Sequence, residues 1–167
     1  MGKTEENLKV AFAGESQANR KYLAFAKKAE EEGFVNIAKL FRAVTEAENV
    51  HALNHLRVLK MVKSTEENVQ AALNGETYEF TEMYPGFIKT ATQEGKTDAA
   101  LSFNHANQVE KIHGAIYKKV LNSISKNKDI EKKDIFVCPV CGNTFEGDAP
   151  DNCPICGTPK EEFKKIL

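Results

Sequence analysis

The first 137 of the 167 residues contain no cysteine, and all four thiols fall between positions 138 and 156. That excludes a disulfide framework for the main body. A terminal cluster of this kind is instead the pattern of a metal site in a reducing compartment. Glycine and proline are sparse, at ten and five residues, so long helices meet few breakers. No stretch approaches the roughly 20 apolar residues needed to span a bilayer. The opening MGKTEENLKV also lacks an apolar run of signal-peptide length, and a cytoplasmic location is the expectation. The net charge of −1 gives neither nucleic acid nor a membrane surface an electrostatic reason to bind.

What the chain does have is charge and helix formers. Charged residues make up 28% of it, and start and stop signals lay out four helical segments. Thr4 with Glu5 and Glu6 opens the first, whose face carries Leu8, Phe12, Glu15, Tyr22 and Ala29 until Gly33. The second sets Leu40, Val44, Glu48, His51, His55 and Val58 at steps of three or four. A partly helical connection, 66–76, leads to a third segment bearing Glu79, Glu82, Phe87 and Ala91, which Pro85 should kink. The fourth aligns Phe103, Ala106, Glu110, His113, Tyr117 and Leu121. A polar stretch, 123–133, is the expected linker, dividing a helical domain, 1–133, from a small domain, 134–167.

The helical part repeats itself. A shift of 62 places Tyr22 on Tyr84, Phe25 on Phe87, Gly33 on Gly95, Phe41 on Phe103, Glu48 on Glu110 and His51 on His113. Two helix pairs related by a pseudo-two-fold axis set the Glu-x-x-His elements opposite each other. The symmetry is incomplete, because Glu15 falls on Thr77, two residues short of Glu79, and Glu82 is a surplus carboxylate.

Most glutamates on a helix of this composition are solvated. Glu15, Glu48, Glu79 and Glu110 differ in that each lies within the apolar stripe of a separate helix, where an unpaired carboxylate is costly. Residues i and i+3 share a face, so Glu48 with His51, and Glu110 with His113, each offer an oxygen and a nitrogen. Two such elements in a repeat, with an inward Glu on each partner helix, match a two-metal carboxylate site in a four-helix bundle. Mixed oxygen and imidazole donors suit iron or manganese, and Glu48 and Glu110 are expected to bridge metals roughly 3.5 to 4 Å apart. His55 is expected to be a core histidine and His105 to face solvent. Tyr22 is either core or a hydrogen-bonding neighbour of the ligands.

The tail reads FVCPVCGNTFEGDAPDNCPICG, two C-P-x-C-G knuckles. Cys138, Cys141, Cys153 and Cys156 make a tetrahedral four-thiolate site for one metal. Spacing leaves iron and zinc both open. Beside a redox-active metal pair a one-electron carrier has a purpose, which favours iron.

GESQANRKYLAFA around Glu15, TEAENVHALNH around Glu48, ETYEFTEMYPGF, QVEKIHGAIY and the two knuckles together resemble the rubrerythrins over essentially the whole chain. The resemblance implies a mainly α protein, a ferritin-like four-helix bundle followed by a rubredoxin-like domain. It implies a cytosolic non-haem di-iron peroxidase that reduces hydrogen peroxide to water in defence against oxidative stress. Two irons would occupy the bundle, with Glu15, Glu48 and Glu82 at one and Glu79, Glu110 and His113 at the other. Glu82 and His51 would alternate as the pair changes charge. A third iron on the four cysteines would relay electrons from a rubredoxin or an NAD(P)H-dependent reductase, in a homodimer or tetramer. Because the tail is too small to position itself, electron transfer is expected to cross a subunit interface. The rival expectation is a ferritin-like storage or ferroxidase protein with a structural zinc tail.

Overall fold

The structure is a computed structural model and describes residues 2–167. Helix α1 (Lys3–Glu31) and helix α2 (Val35–Val58) form the first of two compact units, Met1–Lys63. Between the helices the chain reverses at Gly33, whose φ of 84° is open to glycine without strain. The Gly33 N–H donates to Glu30 O and the Phe34 N–H to Ala29 O. The same device recurs 62 residues on, at Gly95. Small residues let α1 and α2 approach: Ala26, Ala29, Ala38 and Ala52 are buried. Among them Asn19 Nδ2 donates to Thr45 O at 2.9 Å, so one polar crossing fixes the register of the pair.

The second unit, Ser64–Leu167, begins with α3 (Thr65–Tyr78). A capping box starts this helix: the Ser64 side chain accepts from the Glu67 N–H while the Glu67 carboxylate accepts from the Ser64 N–H. The helical run does not stop at Gly75. It widens into a π-helical turn over Glu79–Met83 and resumes as α4 (Tyr84–Gln93). Pro85 falls in the first turn of α4, where its missing N–H costs nothing. The distortion expected at the proline therefore lies one turn earlier, in the π turn. Helix α5 (Thr97–Ile124) packs along α3 and α4.

With these bounds the repeat becomes structural. Residues 3–31 map by the 62-residue shift onto 65–93, and the start of α2 maps onto the start of α5. The aromatic triad Tyr22, Phe25 and Phe41 has ring-centroid separations of 5.6–6.1 Å. Its image Tyr84, Phe87 and Phe103 has separations of 5.4–6.3 Å.

Gly114, the image of Ala52, is buried where α5 meets the π turn. A Cβ there would lie 3.2 Å from Phe80 Cε1 and 3.9 Å from Leu73 Cδ1. Gly114→Leu should destabilise the second unit by about 2–3 kcal/mol through overpacking, read as a lower denaturant midpoint.

After residue 124 the chain runs without regular structure to a three-stranded antiparallel sheet in the order β2-β1-β3: β1 (Ile135–Val137), β2 (Thr144–Glu146) and β3 (Lys164–Ile166). Phe136 pairs with Phe145 and Lys165. The Phe145 and Phe163 rings stack at 4.9 Å. The compact units divide at 63/64, between the helix pairs. No helix among the described residues is long and apolar enough to cross a membrane.

Candidate metal centres

Helices α1 and α2 bring Glu15, Glu48 and His51 together, with one donor atom of each within 4.8 Å of the others. The i, i+3 spacing does what it should: His51 Nδ1 lies 2.9 Å from Glu48 Oε2. The second unit repeats the arrangement, with His113 Nδ1 2.8 Å from Glu110 Oε2. Its third member is Glu76, whose Oε2 is 3.9 Å from His113 Nδ1.

Carboxylates crowd this second cluster. Burial, then a hydrogen bond and charge repulsion from Glu110, then the Glu79 charge push Glu76 up to about 7. Burial and Glu110 raise Glu79 as well, with His113 opposing. Tyr84 is raised by burial and by Glu79, Glu110 and Glu76, so its phenol keeps its proton. Half-buried carboxylates held this close to one another and to an imidazole are a donor set suited to a hard cation.

A consequence follows for the metal-free protein. Between about 4.5 and about 7 the folded chain retains a proton at Glu76 that the unfolded chain has lost. Stability therefore falls as pH rises through that window and levels off above it. Glu76→Gln should flatten the slope, measured as the thermal midpoint of chelator-treated protein at a series of pH values.

The π turn explains why Glu76 escapes a reading by regular spacing. An α-helix turns roughly 100° per residue, and a π turn holds an extra residue for the same rotation. Counting back from the aligned pair Tyr22 and Tyr84, the residue that takes the position of Glu15 is thus displaced by one, from Thr77 to Glu76. Glu79, half-buried one turn later, becomes the surplus carboxylate, and Glu82 is exposed and belongs to neither cluster.

Other expectations fare variously. Tyr22 sits half-buried in its aromatic triad. His55 is half-buried outside both clusters, and His105 is half-buried where solvent was expected. Tyr84 was legible as the image of Tyr22. Thr144 was not: its Oγ1 lies 3.0 Å from His113 Nε2, a contact 31 residues apart in sequence. Donation from Nε2–H to Thr144 would leave the Nδ1 lone pair, which faces Glu110 Oε2, for a metal bound between them.

The four thiols converge as the knuckles require. Cys138 Sγ is 3.5 Å from Cys156 Sγ, Cys141 Sγ is 3.5 Å from Cys153 Sγ, and all four lie within 4.8 Å. Gly142 and Gly157, at φ of 82° and 78°, turn the two loops. Burial works against ionising Cys153, yet the backbone N–H groups of Cys156 and Ile155 outweigh it and the net shift is downward. Burial pushes the Cys141 thiol up. Amide-stabilised thiolates in a tetrahedral set fit iron or zinc.

Residues 6–121 match the family described as rubrerythrin, and residues 136–164 match the rubrerythrin rubredoxin-like domain. The chain belongs to the rubrerythrin family. It is 36% identical to rubrerythrin-2 of Clostridium acetobutylicum, over 96% of this chain and 95% of that one. It is 38% identical to nigerythrin of Nitratidesulfovibrio vulgaris, over 98% and 86%. A solved nigerythrin in its fully reduced, all-ferrous state matches with a TM-score of 0.59 at 36% identity, covering 99% of this chain and 88% of that one. The rubrerythrin fold class, a ferritin-like four-helix bundle with a rubredoxin-like domain, accounts for the repeated helix pairs and the small sheet. Its cofactors, a di-iron centre and one iron or zinc on four cysteines, fit the donor sets of this rubrerythrin.

Proposed function

We propose that this rubrerythrin is a peroxidase that reduces hydrogen peroxide to water in the cytosol, with electrons relayed through a single thiolate-held iron. The observation that carries the reading is the His113–Thr144 hydrogen bond. It joins a bundle ligand to the residue three positions after Cys141, within one compact unit. When bound, the iron pair supplies the two electrons consumed in H2O2 + 2H+ + 2e− → 2H2O, and the thiolate iron replaces them singly.

The chain's own residues divide the work. Glu48 and Glu110, each paired with the histidine one turn on, would hold the metals, with Glu15 and Glu76 completing their respective clusters. Glu79, half-buried beside the second cluster, would be the surplus carboxylate in place of Glu82. The two histidines differ in freedom: His51 is 53% exposed and tied through Nδ1 to Glu48, whereas His113 is held at both ring nitrogens. A ring tied on one side swings at less cost. Tyr84 stands as a protonated hydroxyl beside the second cluster.

The tail docks on its own chain, through Thr144 and through Lys119 Nζ at 3.7 Å from Glu146. The proposed relay accordingly runs within one chain, in place of the interface crossing expected from the small size of the module. A rubredoxin or an NAD(P)H-dependent reductase would supply the electrons.

Reduced protein mixed with peroxide or with oxygen in a stopped-flow instrument tests the activity. Oxidation by peroxide should be at least about 100-fold faster. Equal rates, or a colourless zinc-filled tail in protein made with ample iron, would favour the storage or ferroxidase reading. Thr144→Val should slow re-reduction of the bundle site by about 10-fold or more, at unchanged metal content, and Thr144→Ser should restore it.

A further inference from the structure

Both cysteine knuckles carry a buried polar side chain at the same place, the second residue after the second cysteine. Asn143 in the first is 2% exposed and Thr158 in the second 7%. Their backbones do the same work. The Cys138 N–H donates to Asn143 O at 2.9 Å and the Cys153 N–H to Thr158 O at 2.8 Å, while the Gly142 and Gly157 N–H groups donate to Cys138 O and Cys153 O. That closed turn asks nothing of the side chain, and an apolar residue would fill the space without a desolvation cost. A buried hydroxyl or amide there needs a partner.

Thr158 finds one on its own loop. Its Oγ1 lies 3.1 Å from Cys156 Sγ, and its N–H bonds to the same sulfur. A metal-held cysteine has lost its proton, so the sulfur accepts and the hydroxyl donates. In the first knuckle the Asn143 N–H bonds to Cys141, but Asn143 Nδ2 makes only a long contact, 3.9 Å, to Cys153 Sγ across the site. The backbone bonds come with the turn and any residue supplies them. The hydroxyl bond comes from the side chain alone.

We propose that the Thr158 hydroxyl, donating to Cys156 Sγ, raises the reduction potential of the metal held by the four cysteines. The proposal rests on iron at that site and deepens the relay reading. Four thiolates around ferric iron leave one net negative charge, and around ferrous iron two. One electron enters, no bond forms or breaks, and the hydroxyl proton stays on Oγ1. Because the added charge spreads onto the sulfurs, a donor aimed at one of them stabilises the reduced form more than the oxidised one. Burial makes the bond count, since solvent does not replace the hydroxyl when it is removed. The tail iron is thereby easier for an external donor to reduce, and it holds its electron more firmly against transfer to the bundle.

A redox titration of the full-length protein tests this. Metal-free protein is loaded with iron in the absence of oxygen, and the midpoint of the tail is read against mediator dyes from thiolate-to-iron absorption, which carboxylate and imidazole ligands do not give. Thr158→Val should lower the equilibrium constant for reduction by about 10-fold, equivalent to about 59 mV for a one-electron couple, at wild-type metal content. Thr158→Ser keeps the hydroxyl, loses the methyl and should restore the wild-type midpoint. A midpoint unmoved in Thr158→Val, or lowered equally in Thr158→Ser, would overturn the proposal, because a side chain that only packs the loop alters stability and leaves the potential alone. If Thr158→Val takes up no iron, Thr158→Ala decides by the same comparison with Thr158→Ser.

Peroxide added to the reduced wild type separates this proposal from the relay. A tail iron that stays reduced while the bundle is oxidised would sink the relay and leave the effect of Thr158 on the midpoint standing.

Discussion

Glu76→Ala will empty most of the bundle metal and lower peroxide turnover by about 10³-fold, the loss expected when several kcal/mol of metal-derived stabilisation disappear. Glu82→Ala will leave metal content and turnover near wild type. The contrast follows from placement. Glu76 is half-buried, within ligand reach of Glu110 and His113, and burial with its hydrogen bond to Glu110 pushes its carboxyl up to about 7. Glu82 is exposed at the far side of the π turn. Metal analysis of both variants, alongside turnover, decides the matter. Full metal in Glu76→Ala with depleted metal in Glu82→Ala would restore the ligand set expected from regular spacing. Glu79→Gln should fall between them, retaining metal while losing the difference between oxidised and reduced ligand sets.

Cys153→Ser will unfold the tail and leave the helices standing. Three strands of three residues each and one stacked phenylalanine pair do not bury enough to fold alone. A four-thiolate metal contributes on the order of 10 kcal/mol to a module of this size. Far-ultraviolet circular dichroism should change little, while amide exchange across β1–β3 rises to that of an open chain. Turnover driven by an external reductase should collapse. Chemically pre-reduced protein should still consume one peroxide per metal pair, because the bundle site is untouched. If that single turnover also vanished, the tail would be holding His113 in place through Thr144 beyond its part in delivering electrons.

The sequence by itself determined a good deal. The 62-residue shift, the two Glu-x-x-His elements and the two cysteine knuckles are patterns of spacing, and regular helices and tight turns convert spacing directly into position. Glu48 with His51, Glu110 with His113, and the four thiols accordingly meet where their intervals said they would. The aromatic triads repeat for the same reason, since seven and three residues return to one face of a helix.

Tertiary structure alone decided the rest. One π turn adds a residue without adding rotation, so the carboxylate opposite His113 is Glu76 and no count at helical period reaches it. Thr144 reaches His113 across 31 residues through the packing of β2 on α5, a contact no local interval encodes. Composition marks where a chain is polar, but which helices share a core depends on the surfaces they bury.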